Sequence, residues 1–281
     1  MNTLASPAPD RWRKAMNYWW VPAVIVALVL AGLAWMQPYR EVELSHLRPQ
    51  VRAATASLDQ ALGKPVTQSF QYAIRRNYSS KRRGTMEVEV RVTLRPLGDG
   101  LMQRQDDWYD MDGRTVVYQE RYILFRNLFT VRARTRETAP FVHDLMGRVG
   151  WYNDEAQGVN SKMEGGTPES PDWKLNATLD RVSDSDTGRL SLNTSVYQRS
   201  LQCERSGEAA GSLMGVGFAG SYPKLTCRIR TSDPPTERTS EYVYLPEHGI
   251  FLLLGYQQQQ QNQQTMAVSG NYVSFKVLAQ P

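Results

Sequence analysis

The sequence predicts a mainly β protein: one N-terminal transmembrane helix followed by an antiparallel β-sandwich or open β-barrel with two short helices. Three observations predict it. No charged residue occurs between Lys14 and Arg40, and most of that gap is apolar, enough for the ~20 residues that a helix needs to cross the hydrocarbon layer. From residue 67 onward apolar positions recur at period two, with turn residues between the runs; this is the pattern of strands with one buried face. Helical spacing in the body is confined to two short stretches, 45–62 and 138–149.

The chain divides into a tail (1–16), an anchor (17–39), an amphipathic helical stalk (40–65) and a β-rich body (66–281), with 151–171 as the candidate boundary inside the body. Arg11, Arg13 and Lys14 precede the apolar run, and Arg40, Glu41, Glu43 and Arg48 follow it. Basic residues at a membrane end stay cytoplasmic, so the tail is expected inside and the body outside. Trp19, Trp20, Trp35 and Tyr39 bracket the run at headgroup level. Gly32-Leu33-Ala34 offers the alternative of a cleaved signal peptide, but the apolar stretch is longer than the usual h-region of about 7–15 residues. Both readings export the body. The expected location is the bacterial inner membrane, with one span, a cytoplasmic N-terminus and a periplasmic C-terminal domain.

After the anchor, Leu47, Val51, Ala54, Leu58 and Leu62 line one face of a helix that Ser45 caps and Gly63 with Pro65 ends. Met86–Arg95 alternates apolar and charged residues, Pro96–Gly100 turns, and Leu101–Tyr109 returns. Asp112-Gly113 signals a hairpin before Arg114–Phe125, and Phe129 to Arg136 alternates again. Thr138-Ala139-Pro140 opens the second helix, with Phe141, Leu145 and Val149 on one face. Residues 151–171 read as a mobile connection rich in Gly, Pro, Asn, Asp and Glu. Further strands follow at Trp173–Ser183, Arg189–Cys203, Lys224–Thr231, Thr239–Leu245, Ile250–Tyr256 and Thr265–Leu278, which brings the count to ten or eleven. No internal repeat is evident.

Mean hydropathy is −0.50 despite the anchor, which argues for a polar body rather than a multi-span bundle. The formal net charge is +5, but an exported body makes nucleic acid an unsuitable partner. Cys203 and Cys227 are the two cysteines. In an oxidising compartment an even count suggests a disulfide, which would pin the base of a Gly-rich loop, 204–222, and contribute roughly 3 kcal/mol.

No motif carries chemistry decisively. The run Asp106-Asp107-Trp108-Tyr109-Asp110-Met111-Asp112-Gly113 is dense in carboxylates, but Trp108 takes the first alternate position of a calcium loop and residue 119 is Gln. It reads as a hairpin with solvated acids, and no metal or other cofactor is expected. The basic group Arg75, Arg76, Lys81, Arg82 and Arg83 reads as a solvated hairpin end, or as a contact for anionic headgroups or an acidic partner. Leu213, Met214, Val216 and Phe218 form the apolar part of loop 204–222, a binding patch if exposed and part of the core if buried. His46, His143 and His248 are scattered.

One anchor plus an exported β body resembles the plan of accessory factors in bacterial envelope assembly, β-fold lipid or lipoprotein carriers among them. The expected function is a non-enzymatic accessory or assembly role, binding the membrane through the single span and an envelope protein or lipid through the body. Two alternatives stand beside it. One is a lipid or lipoprotein carrier with loop 204–222 as a lid, which requires a continuous apolar cavity. The other is an exported hydrolase, which requires His143 or His248 within reach of a nucleophile and an acid.

Overall fold

A computed structural model describes residues 22, 24–26, 44–80, 84–109, 116–137, 151–186, 192–215, 217–259 and 265–278. The chain falls into two compact units, Met1–Glu41 and Val42–Pro281. In the first, Pro22, Val24, Ile25 and Val26 are helical, and the last three are 44–55% exposed. Among the described residues no helix is long and apolar enough to cross a membrane; the rest of the expected anchor, and the tail, lie outside them. The second expected helix, 138–149, also lies outside them.

The second unit is a closed barrel of twelve antiparallel strands. They are β1 (Ser69–Ser80), β2 (Gly84–Gly98), β3 (Leu101–Tyr109), β4 (Val116–Phe125), β5 (Phe129–Glu137), β6 (Trp151–Glu164), β7 (Lys174–Asp186), β8 (Leu192–Ala210), β9 (Ser221–Ser232), β10 (Pro235–Leu245), β11 (Ile250–Gln259) and β12 (Thr265–Leu278). Each strand pairs with its neighbours in sequence, and β1 pairs with β12 from Ser69↔Leu278 to Tyr78↔Val268. This closure replaces the expected sandwich or open barrel. It also leaves no edge strand to be protected. One α-helix, α1 (Pro49–Leu62), precedes β1 behind a 3-10 turn at Leu44–His46. It starts four residues later than the expected Ser45 cap, because Pro49 suits the first helical position, where its missing N–H costs nothing. Gly63, at φ 74°, ends it.

The expected mobile connection at 151–171 is instead mostly β6. An extra residue, Gln157, sits between Ala156 and Gly158 in the β6–β7 ladder. Before it the lumen-facing positions are even (Asp154, Ala156), and after it they are odd (Val159, Met163). The bulge thus erases the period-two signal.

The ring is two six-stranded meanders, β1–β6 and β7–β12, built on one plan. In each, the second strand carries an extra residue in its second half (Leu97, Ser206), the fifth carries one at or before its middle (Val131, Leu254), and the sixth carries one midway (Gln157, Val273). The seam between fifth and sixth strands is short in both: β5–β6 pairs over Arg132–Arg136, and β11–β12 over Gly255–Gln259. The repeat lies in bulges and seams, so sequence similarity does not reveal it.

Beyond the short seams the strands splay, and the gaps are filled. At the β5–β6 gap, α1 packs Val51, Leu58 and Leu62, with Leu47 just before it, into a core with Phe125, Phe129, Val131, Ala156, Trp173 and Leu175. Burying each such side chain stabilises by about 1.5–3 kcal/mol. At the β11–β12 gap, the β8–β9 connection steps in: the Tyr272 amide donates to Met214 O at 2.9 Å, and Gly215 bridges to Tyr272. Gly215 has φ 118°, and a Cβ there would fall on the Tyr272 carbonyl oxygen, so only glycine fits.

The β10–β11 hairpin crosses the lumen to the opposite wall. In the ring it stands diametrically across from the β4–β5 hairpin, yet the Phe251 amide donates to Arg126 O at 3.0 Å. Asn127 Nδ2 donates to Phe251 O at 2.8 Å, and Tyr242 Oη donates to Leu128 O at 3.3 Å. These bonds satisfy backbone groups that splaying would otherwise leave unpaired. Both faces of the hairpin are consequently buried. Val243, Leu245, Ile250 and Leu252 join Phe70, Tyr72, Val92 and Leu94 in one core, while Tyr242, Tyr244 and Phe251 join Leu175, Leu201 and Leu225 in the other. This end of the barrel is filled.

Candidate functional site in the barrel lumen

Along several strands an apolar inward stripe gives way to arginine on the same face. The stripes read Phe70-Tyr72-Ile74-Arg76 on β1, Met102-Arg104-Asp106 on β3, and Leu175-Ala177-Leu179-Arg181 on β7. On β8 and β10 they run Cys203-Leu201-Arg199 and Tyr242-Ser240-Arg238. Because side chains two apart share a face, all five guanidinium groups enter the lumen on the side away from the crossing hairpin. Asp106, Glu120 and Asp154 share that face through the registers Arg104↔Tyr122, Asp106↔Glu120 and Asp154↔Ser183. Among residues whose side chains are described, this layer thus brings five arginines together with Asp106, Glu120 and Asp154.

One part of this layer is self-satisfied. Arg104 donates to Asp106 through two bonds of 2.6 Å, and to Asn127 Oδ1 at 2.9 Å. Trp108 Nε1 donates to Glu120 Oε2 at 3.1 Å, with the Arg76 guanidinium 5.4 Å from the Trp108 ring centroid. Burial, and then Asp106, push the Glu120 carboxyl above its ordinary value, against the pull of Arg104 and Arg76. Burial likewise pushes up the Tyr122 and Tyr272 hydroxyls.

A raised carboxyl favours its protonated form in the fold. Its stabilising contribution is therefore complete below the ordinary value of 4.5 and is lost as pH rises through the raised one. Glu120→Gln, which keeps an acceptor for Trp108, is expected to gain stability relative to the parent chain as pH climbs from 4 to 8. Urea midpoints across that range check it; a difference independent of pH would contradict it.

The other part is less complete. Arg181, fully buried, donates to Asp154 at 2.8 Å and across the β5–β6 gap to Thr130 O at 2.5 Å. Arg199 reaches the same carboxylate only at 3.9 Å. Arg238 lies over the Tyr256 ring, 4.9 Å from its centroid, and pairs with no carboxylate among the described residues. Arg181 Nη2, Arg199 Nε, Arg238 Nε and Ser240 Oγ are buried without a hydrogen-bond partner among the described residues. Burial, and then Arg181, lower the Arg199 pKa, with Arg238 adding to the effect.

The structure distributes the residues singled out from sequence quite differently. Cys203 and Cys227 form a disulfide between directly paired positions of β8 and β9. Residues 204–210 continue β8, so the bond links two strand interiors instead of closing the base of a loop. Met214 is fully buried, Leu213 is 72% exposed, and Phe218 packs on Phe275 and Tyr272 at 5.0 and 5.7 Å; Val216 lies outside the described residues. His248 bonds through Nδ1 to Gln68 Oε1 at 2.9 Å and stands 4.0 Å from Glu247, its ring against Phe70. No hydroxyl or thiol is among these partners, and both cysteines are oxidised. His143 lies outside the described residues.

The acidic run is split by strand alternation. Asp106 faces the lumen, while Asp107 accepts from Gln105 and Gln119 on the outer face; residues 110–113 lie outside the described set. Among the described residues, no group of three or more His, Cys, Asp and Glu side chains could hold a metal ion. The basic group is split too: Arg75 pairs outside with Glu87 at 2.9 Å, and Arg76 is buried in the lumen, which corrects its reading as solvated. Residues 81–83 lie outside the described residues.

Sequence reasoning missed the luminal arginines because charge at alternate positions reads as a water-facing surface. The available signal was an arginine that continues an apolar stripe, as Arg76 continues Phe70-Tyr72-Ile74 and Arg181 continues Leu175-Ala177-Leu179. No family model, curated protein or solved structure matches this chain.

Proposed function

We propose that this chain is a single-pass envelope protein of the bacterial inner membrane. Its periplasmic β barrel is a non-enzymatic binding module that receives an envelope component in the polar half of its lumen. One observation carries the reading: the lumen is filled by apolar side chains at one end and lined by incompletely paired arginines beyond them. Desolvated, underneutralised charge is costly unless a ligand or partner completes it, and it is the form a recognition surface takes. The charge gap from Lys14 to Arg40 supports the tether, and the Cys203–Cys227 disulfide suits an oxidising compartment.

Reporter fusions test the placement. Alkaline phosphatase fused at residue 60 or at the C-terminus is expected to be active, since that enzyme needs export to fold. Green fluorescence from a cytoplasm-dependent reporter at either site would overturn it.

A further inference from the structure

We infer that Arg181, Arg199 and Arg238, with Ser240, form a binding site inside the barrel for a phosphate-type anion. The inference rests on the lumen-binding reading and gives it a ligand class. Three arguments carry it.

The first is convergence. Arg181 and Arg199 stand on adjoining strands at diagonal positions, since Arg181 pairs with Tyr197 and Arg199 follows two residues on. Arg238 enters from β10, next to β9, in register with Ile229, whose other partner is Leu201. All three therefore line one stretch of inner wall, and the Arg199 guanidinium feels the positive charge of both Arg181 and Arg238.

The second is the charge balance. Among the described residues Asp154 is the carboxylate that reaches this trio, and it is engaged with Arg181 at 2.8 Å. Three guanidinium groups against one carboxylate leave an excess of two positive charges in a partly buried wall, which a dianion would neutralise.

The third is the unmet donors. Arg181 Nη2, Arg199 Nε, Arg238 Nε and Ser240 Oγ are all buried without a hydrogen-bond partner among the described residues. Buried polar groups are almost always paired, so unmet donors along one stretch of wall call for acceptors from outside the chain. Guanidinium forks suit phosphate oxygens. Arg181 is held by Asp154 and Thr130 O, and Arg238 is stacked on Tyr256, so the site is preorganised. Phosphate chemistry has two sources in an envelope, the free ion and a lipid headgroup, and the test separates them.

The test titrates the full chain, solubilised in an uncharged detergent at fixed ionic strength, with inorganic phosphate and with dihexanoyl phosphatidylglycerol. Dihexanoyl phosphatidylcholine is the zwitterionic control, and calorimetry and melting temperature are the readouts. Saturable binding and a rise in melting temperature are expected with at least one of the two anionic probes. A response to phosphate identifies the free ion; a response to phosphatidylglycerol alone identifies the headgroup. Arg199→Gln and Arg238→Gln, both at half-buried positions, are each expected to weaken binding roughly tenfold. Arg230→Gln, on the outer face beside Glu237, is expected to leave it unchanged. No saturable binding of either anionic probe to the parent chain would overturn the inference, as would an equal loss in Arg230→Gln. A lumen that captures an uncharged component but no phosphate would sink this site while leaving the binding-module reading intact.

Discussion

Arg126→Met is expected to lower the unfolding free energy of the barrel by about 3–5 kcal/mol, the cost of removing one partner from a buried ion pair. Arg126 is fully buried on the β4–β5 turn and pairs with Asp59 of α1 at 2.6 Å. It also donates to Gly249 O in the crossing hairpin and to Lys64 O after the helix, at 3.1 and 2.5 Å. One planar fork thus ties the helix, one wall and the hairpin from the opposite wall. Arg126 sits at φ 44°, a left-handed conformation that is unfavourable for a non-glycine residue and is held by those bonds. Arg126→Lys keeps the charge but cannot span all three partners, so it should recover only part of the loss. Urea unfolding followed by tryptophan fluorescence measures both. A loss below 1 kcal/mol for Arg126→Met would mean that apolar packing alone holds the hairpin across the lumen.

The second large effect belongs to the disulfide. Cys203 and Cys227 are buried, 24 residues apart in sequence, and face each other across the β8–β9 ladder. Cross-linking a loop of that length restricts the unfolded chain, which stabilises the fold by roughly 3 kcal/mol. The double variant Cys203→Ala/Cys227→Ala is expected to lose that amount, and reduction of the parent chain by dithiothreitol should match it. Alanine is the suitable replacement because serine would bury two hydroxyls in an apolar core. Equal stability of the oxidised and reduced chains would contradict the assignment.

Some of this architecture is legible in the sequence, for a definite reason. Leu101–Tyr109 and Thr265–Leu278 are read from sequence with the same boundaries that the structure gives β3 and β12. There, turn residues flank each run and hydrophobic alternation locates it. β6 is lost because Gln157 shifts the inward parity midway and because Asp154 faces inward. Closure is invisible because it depends on Ser69 meeting Leu278, a contact that no local pattern encodes.

The polar lumen inverts the usual rule. Arg76 reads as part of a solvated hairpin end, and nothing in the sequence singles out Arg104, Arg181, Arg199 or Arg238, yet the register places all five on the inner face. The disulfide was legible as a pair, but its setting was not, since β8 continues seven residues past Cys203.

The central claim is that recognition occurs inside the barrel. A photo-crosslinking amino acid placed at Thr231, on the inner face of β9, and separately at Val196, on the outer face of β8 and 73% exposed, tests it in intact membranes. The account predicts a covalent adduct from Thr231 and none from Val196. An adduct from Val196 with none from Thr231 would place recognition on the outer wall and contradict it.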